Sequence, residues 1–152
     1  MILTYKIKHG QDFSRELILA KKVAEHAIRE RTLSSKDVKH IGLKSMIANQ
    51  ILRKYAKGRT VKKVNSVKLT IPSQGIKVVD KEIKIPCLKL TLPIWFSPSF
   101  EKINQIEVGE TFAYISCSYE DIPPYAPEQI IGVDRNATKH VLVASNINTG
   151  KV

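Results

Sequence analysis

The sequence predicts an α+β fold: a small antiparallel β-barrel with a two-helix insertion, followed by a separate β-hairpin. Three observations predict it. Apolar and polar residues alternate at the very start and again from Val64 onward, in many short runs parted by turn residues. Between these stretches the apolar spacing lengthens to three and four, the mark of amphipathic helices. Finally, Pro123, Pro124 and Pro127 fall within five residues and part the last apolar runs from the rest, because proline removes amide donors and holds the chain extended.

Composition bounds the class. At 152 residues there is room for one domain with a proper core, or for a domain and part of another. A hydrophobic content of 43% suits a globular chain and excludes a disordered one. No apolar run approaches the roughly 18 residues of a membrane span, and the N-terminus lacks a basic start followed by a long apolar core. A cytoplasmic protein with no membrane partner is the expectation. Cys87 and Cys117 stand alone in apolar runs, which gives neither a zinc spacing nor a disulfide framework and marks both as packing residues.

The elements follow in order. Leu3, Tyr5 and Ile7 alternate with Thr4, Lys6 and Lys8, a half-buried strand ended by His9-Gly10. Over residues 13–31, Phe13, Leu17, Ala20, Ala24, Ala27, Ile28 and Arg31 share one helical face, with Asp12 as N-cap. Ser34 and Asp37 make a capping signal for a second helix, whose seam runs Val38, Ile41, Ser45, Ala48, Leu52 and Tyr55 across Gly42. The short connection suits an antiparallel pair, an insertion at about 10–60. Strands are then expected at Val67 to Ile71, Ile76 to Val79, Glu82 to Ile85, Leu88 to Leu92, Gln105 to Val108 and Thr111 to Tyr119. So many short strands favour closure into a barrel over residues 1–119, joined by the opening strand, since closure removes exposed edges. Trp95 and Phe96 lie between two prolines, where an exposed pair would stack on bases and a buried pair would fill the core. Residues 120–128 form the linker, and 129–152 begin the second part.

Charge is concentrated in one segment. The net charge is +11; residues 1–37 hold eight Lys/Arg against five acids, 38–79 hold ten against none, and 80–152 hold seven against nine. A segment so unbalanced repels itself unless it meets a polyanion, and phosphate backbones are the usual cellular one. The alternative is a solvated basic surface. Two clusters stand out. Arg15, Lys22 and Arg29, at spacing seven, align opposite the apolar face of the first helix. Arg53, Lys54, Lys57, Arg59, Lys62 and Lys63 put six cations in eleven positions, where the helix dipole needs only one or two.

The final hairpin carries one acid of note. Ile130 to Val133 and Val141 to Val143 flank a polar connection, with Asp134 where the first strand hands over to its turn. An aspartate there either begins a turn or does chemistry. Gly132-Val133-Asp134, then a polar turn and an apolar strand, resembles the first motif of RuvC-like nuclease domains of the RNase H fold. More broadly, the order strand, helical insertion, barrel, proline linker and RuvC-like hairpin resembles the N-terminal part of TnpB-type, RNA-guided nucleases encoded by insertion sequences. Arg135 and Asn136 follow the acid here, where that family has a small or apolar residue and a glycine.

The resemblance carries expectations. Asp134 becomes a catalytic ligand of magnesium, the barrel a wedge domain and the helices a recognition lobe, together gripping guide RNA and the RNA–DNA hybrid. Phosphate contacts fall to the cations of the run 53–63. A two-metal hydrolase needs several carboxylates around ions about 4 Å apart, and one acid cannot hold two. The expectation is therefore a truncated RuvC-like domain that does not cut DNA by itself, and whose unfinished sheet edge invites homodimerisation. The competing classes are a stand-alone, non-catalytic RNA-binding protein and a compact hydrolase using Asp134 alone.

Overall fold

A computed structural model of the chain describes residues 1–58, 62–97 and 99–121, with the backbone of 131–134 and 143–146. It divides into two units, Met1–Asp121 and Ile122–Val152.

The first unit begins with β1 (Ile2–Lys8), then α1 (Ser14–Glu30) and α2 (Ser45–Ala56). β2 (Leu69–Pro72), β3 (Lys77–Val79), β4 (Glu82–Ile85), β5 (Leu90–Pro93), β6 (Lys102–Val108) and β7 (Phe112–Ser118) follow. All strand pairs are antiparallel. One sheet has the order β1-β7-β6-β2, and a second the order β3-β4-β5. The opening strand does join the later ones: Ile2 pairs Ser118 and Lys8 pairs Phe112.

Each helix has local causes. The N-cap is Phe13 and not Asp12 as expected, yet from one place earlier the Asp12 carboxylate accepts the Ser14 N–H at 2.9 Å, satisfying a donor that the first turn leaves free. The Ser14 hydroxyl and N–H hold that carboxyl below the usual range. Ala20, Val23, Ala24 and Ala27 form the buried stripe of α1, small enough to let α2 come close. At the far end Arg31 turns into the left-handed region, φ 54°, and its N–H closes on the Ala27 carbonyl at 3.0 Å.

The second helix is shorter than the sequence predicts. Residues Lys39–Ile41 form a single 3-10 turn, and Gly42, at φ 86°, ends it. Glycine takes that conformation without the Cβ clash that other residues meet. α2 starts only at Ser45, which is exposed, and buries Ile47, Ala48, Ile51 and Leu52. The 3,4 spacing across Gly42 thus belongs to two elements.

The barrel is not formed. β1 and β2 are the two edges of the four-stranded sheet, and β3 to β5 pair only among themselves. The reason lies in what covers the sheet. Its inner face, with Leu69, Ile71, Ile106, Val108, Ala113, Ile115 and Cys117, belongs to one core with Ala24, Ile47, Ile51 and Leu52 of the helices. The helix pair supplies the second layer that barrel closure would otherwise supply, at a favourable 1.5–3 kcal/mol or so for each large side chain buried. Pro72 and the 3-10 turn Ser73–Gly75 end β2 before it can run on into the second sheet. That turn lies against α2: a Cβ on Gly75 would meet Met46 Sδ and would sit 2.9 Å from Ile71 Cγ2.

The described residues of the second unit form an antiparallel pair, β8 (Ile131–Asp134) and β9 (Val143–Asn146), with Asp134 opposite Val143. The expected turn, Val141, Leu142, the linker at 122–128 and the third strand fall outside the described residues, as does Arg59.

Candidate nucleic-acid interface

α1 presents Arg15, Lys22 and Arg29 to solvent, as its apolar stripe requires. Lys22 and Arg29 line a groove of about 380 Å³ with Glu25, His26, His40 and Ile41. The two imidazoles stand edge to face there, centroids 6.2 Å apart. Arg29 also borders an adjoining groove of about 400 Å³ with Glu25, Ile28, Lys62, Lys63 and Val64. Lys22 and Arg29 therefore share one flank with Lys62 and Lys63, far away in sequence. Arg15 does not join them. It lines a separate groove with Glu16, Lys44 and Lys89, so the rail read from spacing is divided between two surfaces.

The other cations have different settings. Arg53 borders a groove of about 420 Å³ with Met46, Asn49, Gln50, Pro72 and Gln74. Lys54 Nζ donates to Glu107 at 3.1 Å, and Lys68 Nζ approaches the other carboxylate oxygen at 3.6 Å. That pairing ties α2 to β6 and leaves Lys54 a weaker lure for phosphate than its neighbours, although an exposed pair is worth only about 0–1 kcal/mol. Lys57, at the C-terminal cap of α2, and Lys62 and Lys63 are exposed. Arg29 is partly neutralised too: its Nε donates to Glu30 at 2.7 Å, which holds the Glu30 carboxyl below the usual range.

Two residues escaped the sequence reading. Arg31, assigned to the apolar face of α1, instead sends Nη1 to the carbonyls of Tyr55, Ala56 and Gly58 at 3.4, 3.4 and 3.0 Å. It satisfies the free carbonyls at the end of α2 and places a positive charge at the negative pole of that helix. A charged residue closing an otherwise apolar face was the only signal. Lys68 was passed over because it lies outside the dense run, yet it stands just ahead of β2 with Nζ 3.6 Å from Glu107. Trp95 and Phe96 part company: Trp95 is 62% exposed, whereas Phe96 is buried and stacked on Tyr5 at 4.0 Å.

Asp134 is the last paired residue of β8. Among the described residues no three His, Cys, Asp or Glu side chains gather as metal ligands would. Asp134 by itself cannot hold two ions, so a two-ion centre would need further carboxylates beside it. Among the described residues no helix is long and apolar enough to cross a membrane. No family model matches the chain, and no curated protein matches it either.

Proposed function

We propose that the chain binds nucleic acid through the cations of α1, α2 and residues 53–63, as the N-terminal portion of a TnpB-type RNA-guided nuclease. On this reading the ligands are guide RNA and its hybrid with DNA, and Asp134 is one magnesium ligand of a centre that other carboxylates must complete. One observation carries the reading. Ten cations and no acid fall in residues 38–79, and the fold sets two of them, Lys62 and Lys63, beside Arg29 of α1. Cations gathered from distant parts of the chain onto one flank are costly in self-repulsion, and a phosphate backbone offsets that cost by releasing its counterions.

Salt-dependent binding tests it. Affinity for a labelled RNA, followed by anisotropy, should fall with a logarithmic slope of roughly 0.7–0.9 for each phosphate engaged. Replacing Arg53, Lys57, Lys62 and Lys63 together by Gln should lower that slope by about 2–3, with Lys54→Gln contributing least because of Glu107. No measurable affinity at low salt would overturn the proposal, and an unchanged slope would remove these residues from it.

A further inference from the structure

The outward face of the four-stranded sheet is unlike an ordinary solvated face. Along β7, Ala113, Ile115 and Cys117 point into the core, and Phe112 and Tyr114 occupy the opposite face, partly exposed. The register sets Lys8 across from Phe112 and Lys6 across from Tyr114. Lys6 Nζ lies 4.0 Å from the centre of the Phe112 ring, and Lys68 Nζ 3.8 Å from that of Tyr114. Both rings wall a groove of about 380 Å³, closed on its other side by Leu17, Ile18 and Lys21 of α1 and by Val67. Ile18 is left 59% exposed at its rim.

An occupant must present flat apolar faces to the rings and negative charge to the lysines at the rim. Unpaired nucleotides do both; a duplex hides its base faces inside its own stack. The acids here do not reverse the match: Glu107 keeps its pairing with Lys54 at 3.1 Å when Lys68 turns to a phosphate, which leaves Glu110. The lysines now lying over the rings need only swing to a phosphate to free them, and a base stacked on an aromatic ring is a stronger contact than an exposed lysine over one. We propose that this groove binds a single-stranded segment of nucleic acid, with bases stacked on Phe112 and Tyr114 and the backbone held by Lys6, Lys21 and Lys68. The inference rests on the nucleic-acid reading above and adds to it a strand state and a second surface.

The test uses the full chain with a short labelled single-stranded RNA and with the same sequence as a duplex. Phe112→Leu and Tyr114→Leu keep apolar bulk while removing the ring, and Tyr114→Phe keeps the ring. Each leucine variant should weaken single-strand binding by roughly 5- to 150-fold, the range that stacking of one base spans, with duplex affinity and salt slope unchanged. Tyr114→Phe should bind as the parent does. If the parent binds the single strand and both leucine variants match it, stacking is overturned while the basic-surface reading stands. Equal losses on duplex and single strand would also overturn it, since damage to the fold does not choose between ligands. Absence of any RNA binding by the parent would overturn both.

Discussion

Arg31 offers the sharpest test of the fold, because two opposed effects meet in one residue. Its guanidinium holds three carbonyls at the end of α2, and its backbone, at φ 54°, carries the cost of a left-handed residue with a Cβ. Hydrogen bonds to a charged group contribute about 1.5–3 kcal/mol when well formed, but two of these are long at 3.4 Å and the side chain is exposed, so roughly 1–2 kcal/mol is the reasonable share. The left-handed conformation costs about 1–2 kcal/mol for a residue other than glycine. Arg31→Ala loses the bonds and keeps the strain, so it should be less stable by about 1–2 kcal/mol. Arg31→Gly loses the bonds and relieves most of the strain, so its greater unfolded-state freedom should leave it about 0.5–1 kcal/mol below the parent. Urea unfolding at a common slope measures both, and hydrogen exchange at Tyr55 to Lys57 reports where the loss falls. Alanine as stable as arginine would refute the carbonyl clamp; alanine as stable as glycine would refute the strain.

Two further outcomes are expected. Gly75→Ala should destabilise by roughly 1–3 kcal/mol in the same assay, because the new methyl group meets both Met46 and Ile71; partial recovery by Met46→Ala in the double variant would assign Met46 its share of the clash. Burial pushes the Cys117 thiol up to about 11, so the unfolded chain ionises first as pH rises. Stability should therefore be nearly untouched by this group below about pH 8 and should fall by roughly 1.5–2 kcal/mol by pH 10, a loss that Cys117→Val removes.

Much of the fold was legible because its signals are local. The alternation in β1 and β7 and the 3,4 spacing of α1 each declare a buried face within one element. What failed was long-range. The turn residues after Ile71 mark where β2 stops, but nothing in the short runs says which sheet each strand joins, and the helices rather than barrel closure cover the four-stranded sheet. Gly42 failed for another reason: its left-handed backbone leaves the apolar spacing intact while ending the element. At the site, dense cations were visible but their neighbours were not. Lys54 meets Glu107 and Arg29 meets Glu30 only once the chain is folded or the rotamers are set. Phe112 and Tyr114 were findable, since strict alternation puts two rings on the side opposite Ala113 and Ile115.

The pairing of β1 with β7 has a practical outcome. Because Ile2 lies across from Ser118 and the Tyr119 N–H donates to the Met1 carbonyl at 2.9 Å, the first unit opens and closes at a single corner. Joining those two points with a few linking residues and cutting the chain instead at the exposed Asp80-Lys81 bend should yield a rewired chain of the same shape. Any passenger attached ahead of Met1 would emerge beside Asp121.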